Sequence, residues 1–391
     1  MNTFDYYAPT HVVFGEDTET QCGSLVKKAG CSRVFIVTGD SSARKSGLLD
    51  RVFASLEAEG LSYELFEGVQ PNPRLAHAEE GVRRALAFGC DLILAVGGGS
   101  VIDTAKAIAH GLAHPETALW DIWNNKVTLS RTIPVGCVLT IPAAGSEMSD
   151  SAVLTNEALG IKQGLSTDFS RCLFAVMNPK LCLTLPDYQK AAGVTDIMMH
   201  TLERYFIPGS DCLMTDEIAE GLLRTMITAA RRILADKDDA AAMGEVMWCS
   251  SLSHNGLTSC GRDKDFSVHK FGHALSAAYD VTHGASLSAV WGSWALYLYE
   301  ECLPRFARYA RKVWDITEAD DHEAALAGIN ATVAFFREIG MPVSLSDLGL
   351  DPTEDDIHAL SLNATKNGTV KLSRIHPLTL AEVETIFRMA R

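Results

Sequence analysis

The chain has ten cysteines, but no two of them are spaced C-x-x-C. Cys22, Cys31, Cys90, Cys137, Cys172, Cys182, Cys212, Cys249, Cys260 and Cys302 read as small buried or half-buried thiols of a reducing compartment. Positive charge is also scarce. Lys and Arg total 34 against 49 Asp and Glu, a formal net charge of −15. This argues against nucleic acid and anionic membranes as partners, because little on the chain would neutralise phosphates. No apolar stretch reaches the length of a membrane span. The opening Met1–Tyr7 has no basic region leading into an apolar run, so no signal peptide is expected and a cytoplasmic location is. Internal repeats and low-complexity segments are absent too. The remaining picture is an ordinary globular composition, 47% hydrophobic and 21% charged, at a length of 391 residues that suggests two or three domains.

The first half alternates strand and helix patterns. Arg33–Thr38 is a β-branched run, Ser46–Gly60 carries apolar residues at helical spacing, and Leu61–Phe66 reads as a strand before Pro71-Asn-Pro73. Arg74–Gly89 reads as a helix. Asp91–Val96 is almost wholly apolar, as a strand buried on both faces of a parallel sheet should be. A helix to about Leu112 and a buried strand over Ile133–Ile141 follow. This alternation predicts an α/β domain with a mostly parallel sheet. Beyond Pro186 strand signals nearly vanish. Helices are expected over about 195–206, 215–235, 240–255, 266–279, 284–303, 322–339 and 380–389. The expected domains are therefore an α/β unit over 1–186 and an all-helical unit over 187–391.

Gly97-Gly98-Gly99-Ser100 joins a buried strand to a helix. Residues without Cβ let a phosphate approach the backbone, and a helix start offers free N–H groups. The alternative is a tight turn with no ligand, and the standard G-x-G-x-x-G fingerprint is absent. Asp103 and Lys106 lie on the first turns of that helix. Asp40, just past the Arg33–Thr38 strand and followed by Ser41, is placed to accept from a ribose hydroxyl and repel a 2′-phosphate. It also reads as a turn-forming Asp. Arg44 and Lys45 close by would instead favour a phosphate. Thr140 and Ser146 flank a second strand exit and offer hydroxyls to a cofactor.

The helical half contains two i,i+4 pairs, Asp196/His200 and His269/His273, and a further histidine, His283. Residues four apart share a helix face. Two such faces and one turn histidine are suited to enclosing a divalent cation, with imidazole and carboxylate donors that fit zinc or iron. Solvated polar faces are the plainer reading of the same spacing. His254 precedes Asn255-Gly256 and is a candidate to line the same site. His11, His77, His110, His114, His322, His358 and His376 lie outside any cluster and read as surface or capping groups.

Four segments together resemble the iron-containing alcohol dehydrogenase family. They are Gly97-Gly-Gly-Ser-Val-Ile-Asp-Thr-Ala-Lys106, Ile141-Pro-Ala-Ala-Gly-Ser-Glu147, Gly193-Val-Thr-Asp-Ile-Met-Met-His200, and His269-Lys-Phe-Gly-His-Ala-Leu275 with His283-Gly284. The resemblance is nearly full-length. The Tyr6–Gly15 segment and the Val281-Thr-His-Gly284 spacing look most like its butanol dehydrogenase or aldehyde reductase branch. It implies a dinucleotide-binding α/β domain, a helical metal domain, and hydride transfer between NAD, or NADP, and a small primary alcohol or aldehyde. It implies that Asp196, His200, His269 and His283 hold Fe²⁺ or Zn²⁺. It also marks His273 as a non-ligand near the nicotinamide and adds Lys162 to the cofactor contacts. A homodimer is expected on the same ground. Ala143 and Ala144 depart from the family, which often has threonines in this stretch. Among other functions, a dehydroquinate synthase-like lyase would need a basic pocket, for which Arg262, Lys264 and Lys270 are the candidates, and a non-catalytic binding protein would retain only the metal site. Trp123, Trp291, Trp294, Phe266 and Phe271 are the large side chains available to shape a substrate pocket.

Overall fold

In a computed structural model, which describes residues 1–209 and 212–391, the chain divides into two compact units. One comprises Ala8–Thr184. The other comprises Leu185–Arg391 together with Met1–Tyr7. The first residues thus group with the helical unit: the Asn2 N–H donates to the Gly261 carbonyl at 2.8 Å. No helix among the described residues is long and apolar enough to cross a membrane.

The first unit is built on a six-stranded parallel sheet. Its strands are β1 (His11–Phe14), β2 (Arg33–Thr38), β3 (Ser62–Phe66), β4 (Leu92–Gly98), β5 (Val135–Ile141) and β8 (Phe174–Met177), in the order β1-β8-β5-β4-β2-β3. Helices α1 (Cys22–Lys28), α2 (Ser42–Lys45), α3 (Leu48–Ala58), α4 (Leu75–Phe88), α5 (Gly99–Ala113) and α6 (Leu119–Trp123) connect them. Successive strand residues face opposite sides. Val34 and Ile36 of β2 and Leu92, Leu94 and Val96 of β4 therefore join Leu25, Val52 and Leu56 of α1 and α3 in one core cluster. β4 is buried along its whole length, which is why its sequence is continuously apolar. An antiparallel hairpin, β6 (Ser151–Asn156) and β7 (Ile161–Ser166), stands outside the main sheet.

Connectivity reverses at β2. The chain leaves β2 for β3 on one side and returns to place β4 on the other. The carboxyl ends of two neighbouring strands whose connections depart in opposite directions leave a crevice, the usual ligand position in an open α/β sheet. Asp40 follows β2 at this point, and Gly97–Ser100 end β4 and open α5.

The second unit is helical: α7 (Asp187–Tyr205), α8 (Leu213–Ala235), α9 (Ala240–His254), α10 (Ser267–Tyr279), α11 (His283–Leu298), α12 (Leu303–Val313), α13 (Asp321–Glu338), α14 (Glu354–Ala364) and α15 (Leu380–Ala390). α7 is buried from Lys190 to Tyr205 and packs against α8, α9 and α11. An ion-pair cluster pins its last turn. Arg305 of α12 donates to the Tyr205 carbonyl at 2.7 and 3.1 Å and grips Asp216 of α8 at 2.7 and 2.8 Å. Arg262 reaches the same carboxylate at 2.7 Å. Burial would raise the Asp216 carboxyl, but Arg305 and Arg262 outweigh it and hold it below the usual carboxylate range.

Candidate functional site

The helical unit brings the two i,i+4 pairs and the turn histidine together. Asp196 and His200 stand one turn apart on α7, His269 lies in the first turn of α10, and His283 opens α11. The Asp196 Oδ1 lies 3.4 Å from the His200 Nε2, 3.5 Å from the His269 Nε2 and 3.8 Å from the His283 Nε2. Ligands about 2.1 Å from a tetrahedral cation are about 3.4 Å from one another, so these spacings match the edges of such a site. The Asp196 Oδ1 and the His269 Nε2 are buried and make no hydrogen bond. Leaving both orphaned is costly unless something else satisfies them. Asp196, His200 and His269 alone already present three donor atoms within 4.8 Å of one another. The donor set therefore fits a divalent metal.

The surroundings tune these groups in opposite senses. Burial, together with the charges of His254, His269 and Arg204, pushes the His200 imidazole well below its ordinary pKa. Burial acts the same way on His269, but the Glu203 and Asp196 carboxylates prevail and raise it. His254 stacks on His200 with ring centroids 3.9 Å apart. Phe266, at a left-handed φ of 70°, sets its ring 5.1 Å from His269 and 5.8 Å from His200, with the Arg204 guanidinium 4.7 Å away. His273 is buried one turn beyond His269, its ring 5.5 Å from that of His283 and outside the donor cluster.

Of the five large side chains expected to shape a pocket, Phe266 touches this cluster. Trp291, Trp294 and Phe271 are fully buried in the helical core, and Trp123 belongs to the sheet unit. Two of the three cations expected to build a lyase-type pocket are otherwise occupied. Arg262 pairs with Asp216, and the Lys264 ammonium sits 5.7 Å over the Phe266 ring.

The sheet unit places the glycine turn at the start of α5. A Cβ on Gly97 would meet Val101 at 2.4 Å, and one on Gly98 would meet Ile141 at 2.8 Å, so both glycines are demanded by close packing. At Gly99 the nearest atoms, on Ser146 and Ala144, are at ordinary contact distance. Ser100 is half-buried, its carbonyl accepting from Thr104. Asp103 and Lys106 turn inward and staple the next loop. The Asp103 Oδ2 accepts the Val153 N–H at 2.9 Å. The buried Lys106 ammonium donates to the carbonyls of Ser146, Ser149 and Ser151 at 2.7, 3.3 and 2.8 Å. Burial raises the Asp103 carboxyl, with Lys106 working against it. Lys162 of β7 donates to the Asn72 Oδ1 at 2.9 Å. Thr140 is half-buried at the end of β5 and Ser146 is buried. Asp40 and Ser41 are exposed beyond β2. Arg44 is held by Glu67 at 2.9 Å.

Sequence reasoning missed Glu203, which stands three residues past His200 on the same face of α7 and contacts His269. Its i+7 relation to Asp196 was the available signal. The surface reading of His110 is corrected. It is fully buried, hydrogen-bonded to Thr132 at 2.9 Å and Ser170 at 3.0 Å, and burial drops its pKa to about 3. His114 is buried as well, and His77 stacks on Phe66 at 4.5 Å.

Known proteins resemble this chain over its whole length. The chain is 36% identical over 390 residues to NADH-dependent butanol dehydrogenase A of Clostridium acetobutylicum, covering 99% of each. It is 34% identical over 395 residues to the NADPH-dependent aldehyde reductase YqhD of Escherichia coli, covering 100% of each. The crystal structure of NADH-dependent butanol dehydrogenase A from Thermotoga maritima superposes with a TM-score of 0.95 at 35% identity, over 100% of this chain and 99% of that one. The iron-containing alcohol dehydrogenase family matches residues 9–179, and the C-terminal domain of the Fe-containing alcohol dehydrogenase family matches residues 190–391. With both halves matched, the chain belongs to the iron-containing alcohol dehydrogenase family.

Proposed function

We infer that this chain is a metal- and nicotinamide-dependent alcohol dehydrogenase, interconverting small primary alcohols and aldehydes of the butanol and butanal type. The observation that carries this reading is the tetrahedral-edge spacing of Asp196, His200, His269 and His283 around two buried, unbonded donor atoms. We assign these four residues as the metal ligands. A divalent cation there supplies Lewis acidity to the alcohol or aldehyde oxygen, and the nicotinamide supplies the hydride chemistry. Three neutral imidazoles and one carboxylate leave this donor set less negative than the cation is positive, which suits an anionic alkoxide. His273, beside the ligands but not among them, is the group assigned to carry a proton between substrate and solvent. The same nitrogen and oxygen donors serve iron and zinc.

The cofactor is assigned to the crevice at the carboxyl ends of β2 and β4, against Gly97–Ser100 and Asp40. Asp103, Lys106 and Lys162 have protein partners there and act by shaping the site, with Thr140 and Ser146 at its edge. NAD is the preferred nicotinamide in this reading. Asp40 accepts from the ribose hydroxyls, and of the two nearby cations that would favour a 2′-phosphate, Arg44 and Lys45, Arg44 is already paired with Glu67. A homodimer accompanies the assignment, two-fold assemblies being the commonest.

Metal analysis of anaerobically purified protein, with NADH absorbance followed on adding butanal, tests the reading. One divalent ion per chain and butanal-dependent oxidation are expected. His283→Ala should lose metal and turnover together while keeping its helical circular dichroism. A wild type with neither metal nor butanal-dependent oxidation overturns the assignment.

A further inference from the structure

The fully buried Glu203 carboxylate is spent on one residue of a neighbouring helix. Its Oε1 accepts the His269 backbone N–H at 3.2 Å, and its Oε2 contacts the Nδ1 of the same imidazole. Its own carbonyl accepts the Asp265 N–H at 2.9 Å. Three bonds from one residue of α7 thus grip the segment that opens α10. Among the described residues no Lys or Arg forms an ion pair with Glu203. A buried carboxylate without a cationic side chain is expensive, and folds retain one where another group needs it.

We propose that Glu203 is a positioning residue that fixes the ring orientation and tautomer of His269 for metal binding. A neutral imidazole has one donor nitrogen and one acceptor nitrogen. A carboxylate at Nδ1 keeps the proton there, which leaves the Nε2 lone pair aimed at the point shared with the Asp196 Oδ1, 3.5 Å away. A carboxylate behind a ligating histidine also strengthens it as a donor. Asp196 and Glu203 together offer two negative charges, which match a divalent cation and would overcompensate a monovalent one. The helix geometry makes this economical. Positions 196, 200 and 203 repeat at i, i+4 and i+7, so α7 supplies two ligands and the support for a third from a single face. A competing role is purely structural: a carboxylate at the first turn of α10 also caps that helix.

This proposal rests on the metal reading above, and its test separates the two. Wild type, Glu203→Gln and Asp196→Ala are compared for Co²⁺ affinity, for loss of Co²⁺ to a chelator, for the visible Co²⁺ bands, and for thermal unfolding without metal. Glutamine keeps the size and one acceptor but removes the charge. Glu203→Gln should bind Co²⁺ about 10–100-fold more weakly, with altered bands, while its metal-free unfolding midpoint stays near that of wild type. Wild-type affinity and unchanged bands in Glu203→Gln would overturn the proposal and leave Glu203 as a cap. Wild-type affinity in Asp196→Ala would instead overturn the metal reading itself. Should Glu203→Gln not fold, nitrogen NMR of ¹⁵N-histidine-labelled, zinc-loaded wild type still decides. His269 protonated at Nδ1 supports the proposal, and protonation at Nε2 overturns it.

Discussion

Gly284→Ala should disable this protein by the addition of one methyl group. Gly284 directly follows His283 at the start of α11. Opposite it lies the main chain of Ala192 in α7, four residues before Asp196. A Cβ at position 284 would fall 2.1 Å from the Ala192 carbonyl oxygen and 2.8 Å from its carbonyl carbon. A tolerable C···O contact is about 3.3 Å, so the two helices must part by about 1.2 Å. No rotamer change relieves the clash, because the obstacle is backbone. Overpacking of this kind costs about 1–3 kcal/mol of stability. The greater cost falls on the site. The His283 Nε2, now 3.8 Å from the Asp196 Oδ1, would move toward about 5 Å, more than two bonds of about 2.1 Å can span. A misplacement of about 1 Å can cost about 100-fold in kcat/KM. Metal content after dialysis, kcat/KM for butanal and a denaturant melt measure the three effects together. Gly292→Ala in the same helix is the control, since its Cβ would meet only the Val333 side chain, at 3.0 Å. A Gly284→Ala protein with full metal and kcat/KM within about twofold of wild type would refute the argument.

Three further outcomes are expected. His273→Ala should retain its metal but lose about 10²–10⁴-fold in rate, with an altered pH–rate profile; metal loss would show that His273 is a ligand. Asp40→Gly should shift the kcat/KM ratio of NAD to NADP toward NADP by at least about tenfold, and a wild type already favouring NADP would redirect attention to Arg44 and Lys45. Arg305→Ala should destabilise by about 3 kcal/mol, the lower end for a broken buried pair because Arg262 still holds Asp216. Since the Asp216 carboxyl is held low in the folded chain, the contribution lost is one present above the unfolded value of about 3.9 and fading as pH falls below it. Urea melts at pH 7 and pH 3 check this, the difference between wild type and variant narrowing at the lower pH.

Periodicity made the longer elements legible. The unbroken apolar runs within Arg33–Thr38 and Asp91–Val96 marked two strands buried on both faces, and the helical stretches of the second unit differ from their observed spans mainly at the ends. α7 begins at Asp187, earlier than the expected 195, because Lys190–Val194 are buried by tertiary packing rather than marked by a local pattern. β1, β8 and the β6–β7 hairpin were not expected. A four-residue run such as Phe174–Met177 carries too little signal, and its assignment depends on partners more than a hundred residues away in the case of β1. α12 and α14 were also missed, although the Thr353/Asp356 capping box before α14 was readable. In the site, the ligand-type residues were visible as i,i+4 pairs. Glu203 was hidden by the same logic, because an acidic residue on a helix is usually a solvated one. The inward turn of Lys106 onto residues 146–151 has no local signature at all.

The grouping of Met1–Tyr7 with residues 185–391 constrains the order in which a nascent chain completes itself. β8 lies between β1 and β5, so β1 has no neighbour in the sheet until residue 177 has been made. The first seven residues wait longer, because Asn2 docks on Gly261. At translation rates of about 5–20 residues per second that interval is on the order of 10–50 s. In its last part, once residue 184 has been made, the sheet unit can finish while the segment that precedes it still has no surface to settle on. The beginning of this chain is therefore among the late pieces to fold, and slowing synthesis between residues 184 and 261 would lengthen its exposure without touching the sheet.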